Sequence, residues 1–231
     1  DVVGVGLAPA EESVSGFDVI TDDEAVVDAV ATTTAECPTA AVTCCQVLRR
    51  GQGTPTGLGL LLESTAYAAL QAGTEFGRWL AQREPVEQPI EVEPLVVASA
   101  TEEGIELTLN RPGVMTAYSS KMRDALVESL RGLATAGDER PILVRGAGDA
   151  FCSGGDLAEF GTTDNPATAH LIRSAANAAT WFDRLAARTT VRIHGAAVGA
   201  GALKAAEAAV LSEGAWVAPG RRARGGCSVR A

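Results

Sequence analysis

Residues 147–160 read AGDAFCSGGDLAEF, and most of the interpretation of the chain depends on what this stretch does. Two adjacent glycines, Gly154 and Gly155, are followed by the carboxylate of Asp156 and then by a pattern typical of a helix. Glycines at such a turn let a ligand carbonyl approach backbone N–H groups, and the next helix adds the positive end of its dipole. The turn could therefore hold a developing oxyanion. Taken alone, the pattern favours a plain tight turn in which Asp156 caps the helix.

A second glycine-rich turn, GAAVGAG at residues 195–201, also follows a predicted strand and precedes a predicted helix. Its G-x-x-x-G-x-G spacing fits a dinucleotide-binding turn, so an NAD(P)-dependent oxidoreductase is an alternative function. Dinucleotide turns usually open a domain, whereas this one comes late in the sequence. That position disfavours the oxidoreductase.

Composition and charge exclude several classes of function. The chain of 231 residues has a formal net charge of −10, which disfavours nucleic acid as a partner. It contains no apolar run of the roughly 18 residues that span a bilayer and no secretory leader. Five cysteines without C-x-x-C spacing, together with only two histidines, predict free thiols, a cytoplasmic location and no metal site.

The chain is predicted to contain two parts with a boundary near residue 94. Residues 83–94 carry three prolines and four glutamates and are typical of a linker. Before it, helices are predicted over 22–34 and 60–82, and residues 40–48 could be strand or helix. Residues 1–94 are therefore predicted to be a mainly helical N-terminal extension.

Residues 95–231 change in character and alternate between strands and helices. The patterns predict strands at 95–99, 105–109, 142–145 and 191–193. They predict helices at 120–134, 177–187 and about 202–211, the first of them capped by Ser119. This alternation indicates the α/β class.

Three runs of sequence resemble motifs of the enoyl-CoA hydratase/isomerase (crotonase) superfamily, and they occur in the same order as in that superfamily. The runs are LNRP at 109–112 with AYS at 117–119 and MRDAL at 122–126, GAGDAFCSGGDL at 146–157, and IHGAAVGAG at 193–201. The acidic residues before them resemble an extension that some longer bacterial members carry.

The resemblance implies a crotonase-like core of repeated ββα units, with an acyl-CoA thioester as substrate and no separate cofactor. In this superfamily the thioester carbonyl sits between two backbone N–H groups that stabilise an enolate. By motif position these donors belong to Ser153 and Ala200. The residues implied to border the substrate are Phe151, Gly154, Gly155, Asp156, Leu157, Gly199 and Gly201. The resemblance also implies a homo-oligomer, a trimer or a hexamer.

The sequence departs from the family pattern at the catalytic acids. Hydratases of this family use two glutamates as acid and base on water, and the first of these positions is Leu203. Glu207 lies one helical turn further on, about 5.4 Å away, and no acid follows Glu213. The sequence therefore predicts a C-terminally incomplete core. Hydration of a trans-2-enoyl-CoA is the default activity, and a catalytically dead acyl-CoA-binding or partner subunit is the alternative.

Overall fold

The structure is a computed structural model that describes residues 2–8, 16–84, 86, 90–199, 209–212 and 216–218. The sequence predictions for Ala200, Gly201, Leu203 and Glu207 lie outside the described residues, as does the Arg-rich tail from Pro219. The helix predicted over about 202–211 is wrong at its end, because residues 209–212 form a strand.

The secondary structure alternates as an α/β chain should, after an opening that is mainly helical. The strands are β1 (Val5–Leu7), β2 (Val19–Thr21), β3 (Val96–Ala100), β4 (Ile105–Leu109), β5 (Ile142–Gly146), β6 (Thr189–Ile193), β7 (Ala196–Val198), β8 (Ala209–Ser212) and β9 (Trp216–Ala218). The α-helices are α1 (Glu24–Glu36), α2 (Pro38–Gly51), α3 (Thr56–Gln71), α4 (Thr74–Gln82), α5 (Ser120–Thr135), α6 (Pro166–Ala175) and α7 (Ala178–Leu185). Single 3-10 turns are Pro112–Val114, Leu157–Glu159 and Ala186–Arg188.

The chain divides into two compact units. One comprises Asp1–Glu84 with Thr163–Ser174, and the other comprises Pro85–Thr162 with Ala175–Ala231. No sequence pattern indicated that residues 163–174 would join the first unit. The domain boundary near residue 94 remains a prediction.

The first unit is mainly helical, with β1 and β2 forming a parallel pair. The ambiguous run at 40–48 lies within α2, which begins at Pro38, a residue suited to a first helical turn. The single helix predicted over 60–82 is wrong, because α3 ends before Gly73 and α4 begins after it. Segment 163–174 is tied to α3 by a hydrogen bond of 2.9 Å shared by Ser64 Oγ and His170 Nδ1.

The second unit is built on a sheet of strand order β3-β4-β5-β6-β8. The β3–β4 pair is antiparallel and the other pairs are parallel, which is typical of an α/β fold. A short second sheet pairs β7 with β9. Strands β6 and β8 thus each lie in the large sheet and are followed by a short strand in the small one. This repetition agrees with the predicted α/β core.

Helix α5 covers the core of the second unit. Met122, Leu126 and Leu130 recur at i, i+4 and i+8 and are fully buried, so the predicted apolar face is confirmed. The helix begins at Ser120 because the Ser119 side chain accepts the Met122 N–H at 3.2 Å.

We expect Ser119→Ala to lower the free energy of unfolding by about 1 kcal/mol, because one N–H of the first helical turn loses its acceptor. The matched control is Ser129→Ala within the same helix, where the hydroxyl only donates to the Ala125 carbonyl at 2.8 Å. That change should be neutral or slightly stabilising, since Ala has the higher helix propensity. Urea unfolding of both variants measures the difference, and equal midpoints would contradict the capping role.

Among the described residues, no helix combines the length and the apolar character needed to cross a bilayer. The same part of the chain holds no group of three or more His, Cys, Asp or Glu side chains placed to bind a metal ion.

Candidate functional site

The two glycine-rich turns lie against each other in the second unit. Cys152 pairs with β7, donating its N–H to the Ala196 carbonyl at 3.0 Å and accepting the Val198 N–H at 2.9 Å. A methyl group at Gly154 would lie 3.0 Å from the Val198 carbonyl oxygen, and one at Gly199 would lie 4.0 Å from the Gly154 Cα. The contact at Gly154 is tighter than an ordinary Cβ contact and favours glycine there, whereas 4.0 Å at Gly199 is ordinary van der Waals contact.

Each turn differs locally from its prediction. Within the run at 195–201, Ala196–Val198 is strand β7 rather than a continuous turn. The start of the helix that the dinucleotide-binding alternative needs, after Gly201, lies outside the described residues. After Asp156 there is a single 3-10 turn, Leu157–Glu159, in place of the predicted helix. A turn this short has no substantial helix dipole, so any oxyanion stabilisation here must come from individual N–H groups.

Ser153 lies in the turn, but its N–H is already hydrogen-bonded. The N–H donates to the Met115 carbonyl at 2.9 Å, and the Ser153 hydroxyl donates to the Val114 carbonyl at 3.3 Å. Met115 and Thr116 both have positive φ, 50° and 55°, which turns the Met115 carbonyl toward the turn. In this conformation the Ser153 N–H is not available to a ligand.

The N–H groups of Gly154 and Gly155 have no acceptor among the described residues. Gly154 is buried, with φ +100°, while Gly155 is partly exposed. The Gly154 carbonyl accepts the Tyr118 N–H at 2.7 Å. Because the carbonyl and N–H of one trans peptide point in opposite directions, this bond aims the Gly155 N–H away from Tyr118. Gly155 is therefore the partly exposed residue of the turn whose N–H has a fixed direction and no described acceptor.

Asp156 is buried and committed to structure. Its Oδ1 accepts the Ala158 N–H at 3.0 Å, so it caps the 3-10 turn. Its Oδ2 lies 2.9 Å from Nη1 of Arg111, and the angle at this contact is poor for a hydrogen bond, so the two side chains form an ion pair. Its backbone N–H donates to the Tyr118 carbonyl at 3.1 Å.

Glu159, the other carboxylate of the turn, is also engaged. Its two oxygens accept the N–H of Ser120 at 2.7 Å and the Ser120 hydroxyl at 2.8 Å, at the start of α5. Burial raises the pKa of the neighbouring Tyr118 phenol above its ordinary value, so that group stays neutral at physiological pH. The described turn therefore supplies no free carboxylate to act as a general acid or base.

The other predicted substrate-binding residues differ in exposure. Leu157 and Gly199 are exposed. Phe151 is 1% exposed and packs in the core, while its N–H donates to the His194 carbonyl at 2.8 Å. In this conformation the Phe151 ring cannot touch a ligand. His194 is held by a hydrogen bond of 2.9 Å between its Nε2 and the Gly148 carbonyl.

Arg111 is the residue of this region whose contacts the sequence did not reveal. Its side chain is 2% exposed, and the guanidinium reaches Asp156, the Ala117 carbonyl and Glu91. An arginine directly before a proline at a strand end was visible in the LNRP run. Nothing in the sequence indicated which acids would meet it.

A family model described as Enoyl-CoA hydratase/isomerase matches residues 100–215, half of the chain. An ethylmalonyl-CoA decarboxylase of Xenopus laevis is 32% identical over 106 residues, which are 45% of this chain and 36% of that protein.

Solved structures of enoyl-CoA hydratases also match. One from Mycobacterium smegmatis is 32% identical over 52% of this chain and 48% of its own, with a TM-score of 0.47. An enoyl-CoA hydratase/carnithine racemase from Magnetospirillum magneticum is 25% identical over 52% of this chain and 47% of its own, with a TM-score of 0.46. The chain thus spans between about a third and a half of the length of these relatives.

Proposed function

Because the chain belongs to the enoyl-CoA hydratase/isomerase family, we propose that it acts on acyl-CoA thioesters by stabilising a thioester enolate. The observation that carries this proposal is the pair of touching glycine turns, one of which holds an oriented N–H without an acceptor among the described residues. A fixed N–H aimed at developing negative charge stabilises a transition state more than a substrate.

The donor that we propose in the first turn is the N–H of Gly155. Ser153, the position implied by the family resemblance, could serve only if its hydrogen bond to Met115 broke, which would cost about 1 kcal/mol before any ligand bound. Gly155 needs no such rearrangement. The second proposed donor is the N–H of Ala200, which directly follows Gly199 in the sequence.

The reaction depends on which group makes the enolate. Hydration of a trans-2-enoyl-CoA needs a general acid and base on water, yet Asp156 and Glu159 are engaged and the expected family position is Leu203. Glu207 could replace the missing family glutamate only by reaching the substrate from a position one helical turn beyond Leu203.

Decarboxylation of a 2-carboxyacyl-CoA is the second candidate reaction, favoured by the likeness to an ethylmalonyl-CoA decarboxylase. The bond between the α-carbon and the carboxylate breaks, CO₂ leaves, and the electron pair passes into the thioester as an enolate. A proton from water then completes the product. This route needs enolate stabilisation but no general base, which is consistent with Leu203.

The proposal also covers the oligomeric state, the location and the cofactor. We expect a trimer or hexamer, a cytoplasmic location and no bound cofactor besides the acyl-CoA substrate. A binding-only subunit without turnover is the alternative, favoured by Leu203.

We expect the purified chain to turn over one of two probes. Loss of enoyl absorbance from trans-2-butenoyl-CoA would show hydration, and CO₂ release from ethylmalonyl-CoA would show decarboxylation. Binding of both without turnover would support the binding-only alternative. A folded chain that neither binds nor converts either thioester would overturn the proposed function.

A further inference from the structure

A series of hydrogen bonds connects a buried arginine to the Gly155 N–H, the proposed donor. Arg111 is 4% exposed, and its Nη1 donates to the Ala117 carbonyl at 2.5 Å. The N–H of that same peptide group belongs to Tyr118 and donates to the Gly154 carbonyl at 2.7 Å. The Gly154 carbonyl belongs to the peptide group whose N–H is that of Gly155.

Each link of this series has a fixed direction. A planar trans peptide places its carbonyl and its N–H on opposite sides, so a donor bound to the carbonyl draws electron density away from the N–H. Hydrogen bonds arranged head to tail strengthen one another, by roughly 10–30% per bond. A cation at the head of the series makes its first bond charge-assisted and stronger than a neutral one.

The guanidinium is held at the head of this series by two acids. Nε and Nη2 of Arg111 each donate to one oxygen of Glu91, both at 3.0 Å, and Nη1 pairs with Asp156 at 2.9 Å. This arrangement leaves the guanidinium little freedom to move. Asp156 directly follows Gly155, so the ion pair between Arg111 and Asp156 also restrains the backbone just after the proposed donor.

We propose that Arg111 is a positioning residue that orients and polarises the Gly155 N–H through the Ala117–Tyr118 and Gly154–Gly155 peptide groups. This inference rests on the proposed function, since it assigns a role toward the thioester carbonyl. Arg111 does not touch the ligand. It acts through two peptides, and it makes the last N–H a stronger donor than an isolated amide.

The series of hydrogen bonds from Arg111 through Ala117–Tyr118 and Gly154–Gly155 is called the relay. The carbonyl stretching frequency of a bound thioester tests it. Butanoyl-CoA labelled with ¹³C at the carbonyl is bound to the full chain, and isotope-edited infrared difference spectra are recorded. The wild-type chain should lower the stretch relative to free ligand. R111Q should lose roughly a fifth to a half of that downshift, from two cooperative bonds. R145Q is the control, because Arg145 pairs with Glu106 at 2.8 Å on the sheet and takes no part in the relay; it should keep the full downshift.

Glu91→Gln separates polarisation from plain structural support. It removes one of the negative charges that offset the guanidinium while Arg111 keeps its donation to Ala117. The relay predicts an equal or larger downshift for E91Q, whereas a merely structural role predicts a loss like that of R111Q. If R111Q does not fold, E91Q decides alone, and a smaller downshift in it overturns the relay. A wild-type chain that binds butanoyl-CoA with no downshift contradicts the proposed function itself, whereas a full downshift in folded R111Q contradicts only the relay.

Discussion

Gly195→Ala is expected to lower the free energy of unfolding by about 2–5 kcal/mol, the sum of backbone strain and overpacking. Gly195 has φ +57°, a conformation that disfavours any side chain. A Cβ built there would lie 2.0 Å from the Asp149 carbonyl oxygen. Since the obstacle is backbone, the loop that carries Asp149 would have to move away from the second glycine turn.

Gly132→Ala is the matched control for this prediction. Gly132 lies inside α5, and nothing lies within 4 Å of a Cβ built there. That substitution should stabilise the chain by up to about 1 kcal/mol, because Ala is the better helix former. Urea unfolding measures both changes. Similar unfolding midpoints for the two variants would show that the loop at Asp149 does not pack against Gly195 as described.

Deleting the Gly155 N–H is expected to reduce turnover about 100-fold, the usual effect of removing one oxyanion donor. The cleanest deletion replaces Gly155 with glycolic acid, which exchanges one N–H for an oxygen and leaves the shape of the turn unchanged. The N–H itself donates to no described acceptor, so its loss should not affect folding, whereas the ester carbonyl of Gly154 accepts the Tyr118 N–H less strongly and should lower stability slightly. The measurement is kcat on whichever probe the wild-type chain converts, or thioester affinity relative to free CoA if it only binds.

The same replacement at Ser153, with glyceric acid, is the matched control. It removes the N–H that donates to Met115, so it should cost about 1 kcal/mol of stability and leave turnover nearly unchanged. The opposite pattern, with turnover lost at Ser153 and kept at Gly155, would assign the donor to Ser153.

The sequence predicted the core elements well because their signals are local. The apolar spacing of Met122, Leu126 and Leu130 defines one face of α5, and the Ser119 hydroxyl marks its start. Strands β3, β4 and β5 are short apolar runs bounded by turn residues, so their positions are confirmed within a residue or two. The break at Gly73 was missed, since the apolar pattern continues across it.

The donor proposed for the first turn could not be read from the sequence, because the proposal depends on the distant partners of each amide. The Ser153 N–H is occupied by a carbonyl from Met115, and the Gly155 N–H is aimed by a bond from Tyr118. A motif gives the order of amides but not the direction of each one. The same limit hid the contacts that Arg111 makes with Glu91 and Asp156.

The amide NMR spectrum of the ¹⁵N-labelled chain shows whether the Gly155 N–H binds the carbonyl of an acyl-CoA thioester, as we propose. Butanoyl-CoA is titrated in, with free CoA as the reference ligand. The Gly155 amide proton should move downfield with butanoyl-CoA and not with CoA, while the Ser153 amide, already bonded to Met115, should stay in place. A Gly155 amide signal that does not move while butanoyl-CoA is bound would show that this N–H is not the donor to the thioester carbonyl.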